Sequence, residues 1–396
     1  MNSFLETLTM NPKTPIFTLL TLFILLFFLS ACTVKIVQIE PRYAQPTTGT
    51  GMFQPFHQTA FSGIEELGIL SANVAGSVVA MKYLPDQNRV AAAYRDGYLR
   101  VWDLETKQIV TVFDFGFIAR EGTAFSADGS LIITPNNVVE DTLESDAYVF
   151  TLVDGINLWE TQAGTKVDCF GDHCYPDLQA YGSTKTGATL HPSGNWLVYY
   201  GSTVVVFHNI DGSELGLISN LDNPDDGIKW YISKLVFDPT GEYYAIAYEE
   251  GHVVLYEFYD AVLNRDIWAP SQRQLGKPQN ERTTVTSVAI DDTRTWLALL
   301  QGDNLKVWTL RSTAREPSMS FQISTASALA FDRSGNFLVV GTKMNIHILD
   351  LNAKVLIAQF ETAEVTTLLI SPDNRMLLWG DVNGVIHLWG TRALSE

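Results

Sequence analysis

From residue 64 to the C-terminus, short apolar runs alternate with polar turns, and the alternation itself repeats. Aligned on their apolar and aromatic positions, Val101-Trp102-Asp103-Leu104, Leu158-Trp159-Glu160, Val206-Phe207-His208, Leu255-Tyr256-Glu257, Val307-Trp308-Thr309-Leu310, Ile348-Leu349-Asp350-Leu351 and Leu388-Trp389-Gly390 form seven copies. The last three are 41 and 40 residues apart, the earlier ones 48 to 57. Upstream of most copies stands a turn: Phe125-Ser126-Ala127-Asp128-Gly129, Leu190-His191-Pro192-Ser193-Gly194, Phe237-Asp238-Pro239-Thr240-Gly241, Phe331-Asp332-Arg333-Ser334-Gly335 and Ile370-Ser371-Pro372-Asp373-Asn374. Pro presets φ and Gly or Asn takes positive φ, so each predicts a tight reversal between the first and second strands of a repeat. The runs that follow, such as Phe337-Leu338-Val339-Val340 and Trp296 to Leu300, are apolar without interruption and predict strands buried on both faces. Several short strands at this period predict an all-β ring of seven four-stranded blades.

The two ends of the chain complete this pattern. Only seven residues follow Trp389, too few for a loop and a fourth strand. Glu66-Leu67-Gly68-Ile69-Leu70 repeats Glu214-Leu215-Gly216-Leu217-Ile218, which holds the fourth-strand position of the third copy. Residues 64–70 are therefore expected to close the last blade, in a domain spanning 57–396, and to remove an open edge. Residues 32–56, with Pro41, Pro46, Pro55 and Thr47-Thr48-Gly49-Thr50-Gly51, keep no sustained period and read as a tether of roughly 25–30 Å r.m.s. span. Ahead of it, the apolar run Ile16 to Leu29 and the small residues Ser30-Ala31 read as an export signal over residues 1–31. An uncleaved signal anchor is the alternative, although the run is short for a membrane span. A start at Met10 instead of Met1 would replace the Glu6-bearing n-region by Met10-Asn11-Pro12-Lys13.

Composition narrows the partners. Hydrophobic residues make up 46% and charged residues 18%, which argues for a large buried interior and against disorder. With 44 acidic and 26 basic residues the net charge is −18, a field that repels phosphate backbones, so nucleic acid is not expected to bind. Beyond Cys32 the cysteines are Cys169 and Cys174, and in an exported chain a disulfide between them is expected. The alternative, a metal clamp in Cys169 to Cys174, lacks a second ligand pair. No nucleophile elbow, phosphate loop, dinucleotide fingerprint or paired-histidine zinc motif occurs, so neither catalysis nor a cofactor or metal is expected. His347 and His387 share a register in adjacent copies and leave a metal or haem site open. The acidic stretches Asp222 to Gly227 and Glu140 to Asp146 lack calcium-loop spacing.

Leu29-Ser30-Ala31-Cys32 resembles the lipobox of bacterial lipoproteins. The resemblance implies cleavage behind Ala31, a diacylglycerol on Cys32 and anchoring in a bilayer of the cell envelope. Thr33 in place of aspartate favours the outer membrane, facing the periplasm. Residues 64 to 390 resemble WD-repeat propellers, which implies a seven-bladed β-propeller. The Trp-Asp pair is intact only at Trp102-Asp103 and the Gly-His pair that usually opens a repeat is absent, so the resemblance does not carry over the family's polar tetrad. Trp102, Trp159, Trp308 and Trp389 read as packing between blades. Glu160 to Lys166 resembles quinoprotein-type blades, found in pyrroloquinoline dehydrogenases and in an outer-membrane assembly lipoprotein.

Loop lengths point to one face. In such a ring the second-to-third turns and the connections between blades share a face, and the insertions 135–153, 113–121, 168–186 and 219–231 fall there. They carry Phe115, Phe117, Tyr175, Tyr181, Trp230 and Tyr231, expected as exposed aromatics of a partner site. The resulting expectation is a non-catalytic, lipid-anchored scaffold, its ring monomeric, that binds an unidentified envelope protein. The alternative is a subunit of an envelope enzyme or assembly complex with a ligand or cofactor in the central channel.

Overall fold

The computed structural model describes residues 64–72, 76–84, 88–115, 119, 123–126, 129, 131–135, 156–160, 165–167, 169–170, 173–174, 187–200, 204–209, 215–219, 230–258, 272–279 and 282–391. Among them are seven four-stranded antiparallel sheets. Blade 1 runs through Val78–Leu84, Arg89–Tyr94, Tyr98–Asp103 and Ile109–Asp114, each strand paired with the next, and blades 2 to 6 repeat this meander from residue 124 to 361. Blade 7 takes Val365–Ile370, Met376–Asp381 and Ile386–Thr391 from the end of the chain, and its fourth strand is Ile64–Leu70. That strand pairs antiparallel with the third, Ile64 opposite Thr391 and Leu70 opposite Ile386. The innermost strands touch in order around the ring, and Val365–Ile370 of blade 7 meets Val78–Leu84 of blade 1. The fold is a closed seven-bladed β-propeller.

The uninterrupted apolar runs follow from this geometry. A strand inside a blade has a neighbouring blade on each side, so both of its faces are buried. In blade 5, Leu297 and Leu299 pack with Ala245, Ala247 and Val253 of blade 4, whereas Ala298 and Leu300 pack with Leu338 and Val340 of blade 6. Burial of each such leucine is worth about 1.5–3 kcal/mol. Trp102, on the third strand of blade 1, packs against Leu378, Ile386 and Leu388 of blade 7, and Trp308 fills the seam between blades 4 and 5.

In blades 3 to 7 the first turn is held by a buried polar side chain. Asp332, 1% exposed, accepts from the Phe337 amide through Oδ1 and from the amide and hydroxyl of Ser334 through Oδ2. Asp238 and Asp291 do the same in blades 4 and 5, and Ser371 Oγ accepts from the Arg375 and Met376 amides in blade 7. In blade 3 the role falls to His191, whose Nδ1 accepts from Ser193 and whose Nε2 donates to Gly241 O of the next blade at 3.0 Å. Gly335 has φ +67°, and a Cβ there would collide with Asp291 of the blade before it. Glycine at this turn therefore answers both the backbone conformation and the approach of neighbouring blades.

Near the start of five innermost strands the register slips, as between Val285 and Ser287 and between Val365 and Thr367. Such a bulge frees one residue from the ladder and re-aims its side chain. At three seams the re-aimed hydroxyl becomes a strap. The Ser233 hydroxyl accepts from Val285 N at 3.2 Å, Ser327 donates to Val365 O at 2.5 Å, and Thr366 donates to Val78 O at 2.6 Å.

After blade 2 in the chain, Cys169–Phe170 and His173–Cys174 form a short hairpin that sets Cys169 and Cys174 opposite one another. Their side chains are not described, so the expected disulfide lies outside what the structure covers, as do the signal segment, Cys32 and the tether.

Removing residues 57–70 should lower the melting temperature of the whole ring by about 10 °C or more, whereas removing 35–55 should shift it by no more than about 2 °C. Calorimetry of both deletions gives the comparison, and equal losses would contradict closure by the N-terminal strand. Asp332→Ala should cost about 2–4 kcal/mol, because it strands buried donors at one turn. Denaturant titration would count against the turn's role if the loss were under about 0.5 kcal/mol.

Candidate interaction face

The second-to-third turns and the connections between blades lie on one face, and each described turn there is tied down by its own polar device. In blade 1, Asp96 receives both Arg100 guanidinium nitrogens, at 3.0 and 2.7 Å. Arg100 in turn lies over the Tyr94 ring, and Tyr94 accepts from Trp102 Nε1. In blade 7, Asp381 Oδ1 accepts from the Asn383 and Val385 amides, and Oδ2 faces His387 Nε2 at 3.3 Å. In blade 5, Gln301 Nε2 reaches across to Glu249 O and Thr283 O. In blade 6, Thr342 Oγ1 accepts from the Met344 and Asn345 amides.

The densest cluster joins blade 4 to the chain on either side of it. Glu250 accepts from the Tyr231 amide through Oε2 and from Arg282 Nε through Oε1, and the Arg282 guanidinium lies 3.6 Å from the Tyr231 ring centre. Beneath it His252 is fully buried, stacked on Tyr248 at 4.6 Å and edge-on to Trp230 at 4.3 Å. Neither ring nitrogen of His252 has a hydrogen-bond partner. Burial, reinforced by the Lys306 charge, pushes its pKa down to about 3. The ring is therefore neutral at neutral pH and acts as an aromatic plate.

These placements correct the expected aromatic patch. Phe115 is 4% exposed and packs in the seam of blades 1 and 2, and Trp230 is 9% exposed within the core of blades 3 and 4. Neither is an exposed partner contact. Phe115 continues the inward alternation of Thr111 and Phe113 beyond the strand, and Trp230 is in phase with Ile232, so period two places both inside. Tyr231 is half-buried under Arg282. Phe117, Tyr175 and Tyr181 lie outside the described residues. His347 and His387 do not meet. Their cross-strand partners are Val340, in the seam with blade 5, and Trp379, in the seam with blade 6. Among the described residues no three His, Cys, Asp or Glu side chains converge as a metal site.

Two apolar side chains that the sequence reading passed over do reach solvent on this face. Met344 is 70% exposed in the turn of blade 6, and Val382 is 39% exposed in the turn of blade 7. Backbone bonds from Thr362 N to Met344 O and from Val382 N to Glu364 O tie both to the connection between blades 6 and 7. The signal was present in Lys343-Met344-Asn345, where a large apolar residue occupies the tip of a two-residue turn that ordinarily takes polar ones.

With this geometry in hand, the comparisons are specific about fold. The model of the WD domain, G-beta repeat, matches residues 64–103, which covers the closing strand and three strands of blade 1. The ring is WD-repeat-like. Among solved structures the chain is similar to the β-propeller domain of Myceliophteria thermophila Cps50 (Swd1), with a TM-score of 0.60 and 14% identity over 83% of this chain and 99% of that one. At that identity the likeness concerns the fold alone. Comparison with curated proteins finds no match.

Because the folded pKa of His252 lies below its ordinary 6.5, its contribution to stability is complete above pH 6.5 and is lost as pH falls toward 3. Relative to His252→Phe, the wild-type protein should lose about 4 kcal/mol between pH 7 and pH 3, measured by denaturant unfolding. Parallel losses in the two proteins would show that His252 carries a proton in the folded state at low cost.

Proposed function

We propose that this chain is a lipid-anchored, non-catalytic interaction scaffold of the bacterial cell envelope, held through an acylated Cys32 and binding an envelope protein with the face just described. The observation that carries the reading is the pairing of a locked ring with apolar side chains exposed at its turns. Hydrogen bonds fix the backbone on both sides of Met344 and Val382, so presenting them to a partner incurs little additional conformational entropy. WD-repeat-like rings present such faces to protein partners, which supports a scaffold. The lipobox supports export and an anchor at the outer membrane, on the periplasmic side, with a disulfide between Cys169 and Cys174. The net charge of −18 favours a partner with basic surroundings and binding that weakens as salt rises.

Met344→Asp combined with Val382→Asp should cut the recovery of crosslinked envelope partners severalfold, with the melting temperature shifted by no more than about 2 °C. Undiminished recovery would place the contact elsewhere. Cys32→Ser should abolish labelling by a clickable fatty acid, and persistent labelling would remove the anchor from the account.

A further inference from the structure

We propose that the outer rim of blades 4 and 5 carries a docking strip for an acidic, extended segment of a protein partner. Segments 273–282 and 306–316 hold six basic residues, Arg273, Lys277, Arg282, Lys306, Arg311 and Arg315, against two acidic ones, Glu281 and Glu316. In a chain of net charge −18 this is a local reversal of sign, and it survives the addition of Glu249 and Glu250 from the facing turn. The strip is separate from the turns that carry Met344 and Val382, and it needs no lipid anchor.

The fold brings the two segments together. Blade 5 has nine residues, 310–318, between its third strand and Met319 of its fourth, where blade 6 has four. This long turn lies along the fourth strand of blade 4, Gln272–Leu275, and is pinned to it. Arg273 donates to Leu310 O at 2.7 Å and to Ser312 O, Gly276 N donates to Arg315 O at 2.6 Å, and Trp308 Nε1 donates to the same oxygen at 2.9 Å. The backbone that bears Arg311 and Arg315 is therefore fixed, while both residues are exposed. Lys277, next to Gly276, reaches Glu316 at 3.2 Å, and Lys306 Nζ donates to Gly251 O at 3.2 Å. The connection continues to Gln279, whose amide donates to Glu250 O at 2.8 Å, and to Arg282, which meets Glu250 Oε1 at 3.1 Å. The cations thus follow one another from the long turn of blade 5 to the second-to-third turn of blade 4.

Their charge is only partly answered within the ring. Glu250 and Glu316 each pair with one cation, whereas Arg273, Lys306, Arg311 and Arg315 form no ion pair among the described residues. Exposed guanidinium groups suit carboxylates, which they bind through paired N–H donors, and a fixed backbone lowers the entropy lost on binding. A narrow acidic segment would meet these cations alone. A bilayer or a nucleic acid duplex would set a broad anionic surface against the rest of a strongly acidic ring and be repelled. The partner that fits is a protein with an extended stretch rich in Asp or Glu.

The test uses the full-length protein in neutral detergent and a dye-labelled oligoglutamate peptide, read by fluorescence anisotropy at about 0.1 M ionic strength, where charges more than about 10 Å apart are largely screened. Arg311→Glu combined with Arg315→Glu should weaken binding about tenfold or more, with the melting temperature held within about 2 °C. Lys343→Glu combined with Lys354→Glu makes the same change of net charge at exposed positions of blade 6 and should leave binding within about twofold. A photoreactive group on the peptide should crosslink to residues 273–282 and 306–316. If the Glu pair lowers the melting temperature further, Arg311→Gln with Arg315→Gln should still weaken binding severalfold. No binding by the wild-type protein, undiminished binding by the folded Arg variants, an equal loss in the blade 6 variant, or crosslinks confined to other residues would overturn the strip. Displacement of the peptide by micelles doped with phosphatidylglycerol, and not by those doped with phosphatidylcholine, would assign the strip to lipid head groups and overturn the acidic segment.

Discussion

The ring depends on being closed, and it is closed in two places at one seam. On the inside, Thr366 of blade 7 donates to the backbone of Val78 in blade 1. On the outside, Ile64–Leu70 completes blade 7 from the other end of the chain, and Leu70, with Ile386 and Leu388 of blade 7, packs against Val90 and Trp102 of blade 1. Six other seams join consecutive blades, where chain connectivity already holds the partners near one another. This seam alone has to bring together residues about three hundred positions apart, such as Thr366 and Val78 at a separation of 288, with a correspondingly larger loop-closure entropy. Without it the face of blade 1 that carries Trp102 and the face of blade 7 that carries Leu378 would be exposed, and an open ring would present unpaired edges.

Once closed, the ring divides its chemistry between its two faces. On the first-turn face, buried carboxylates and one histidine hold the reversals, and contacts such as His191 to Gly241 and the Arg294–Glu242 ion pair lock adjacent turns together. On the opposite face the described turns use different devices: an Arg–Asp pair in blade 1, a Glu–Arg–Tyr cluster in blade 4, a glutamine bridge between blades 4 and 5, and an Asp–His contact in blade 7. One backbone architecture therefore accommodates turns of diverged sequence, which is why Trp-Asp survives only at Trp102-Asp103 without loss of the fold. Variation is tolerated where a turn must be held but need not be held in one way.

The architecture was legible because its two strongest signals are local. Asp332-Arg333-Ser334-Gly335 encodes its own reversal, and Trp296 to Leu300 is apolar on both faces because blades lie on both sides. Closure could be read from the likeness of Glu66 to Leu70 and Glu214 to Ile218, since fourth strands share one environment. The interaction face was much less legible. Whether an aromatic next to a strand points outward is decided by the phase of that strand, and Phe115 and Trp230 keep the inward phase just past strand ends. The cluster of Tyr231, Glu250, His252 and Arg282 draws on residues fifty positions apart, and no local pattern marks it. Met344 and Val382 are isolated apolar residues in polar turns, a signal that acquires meaning only once the ring places them on one side.

The central claim is that the N-terminal strand belongs to the ring as fully as the strands that follow it, so that the domain opens as one unit. Native-state hydrogen exchange read by mass spectrometry tests this most directly. Peptides covering Ile64–Leu70 should be as slow to exchange as those covering Ile386–Thr391, and both should speed up together with the interior strand Phe337–Thr342 as denaturant is added. Exchange of residues 64–70 at the rate of an exposed loop, while 337–342 stays protected, would contradict the account.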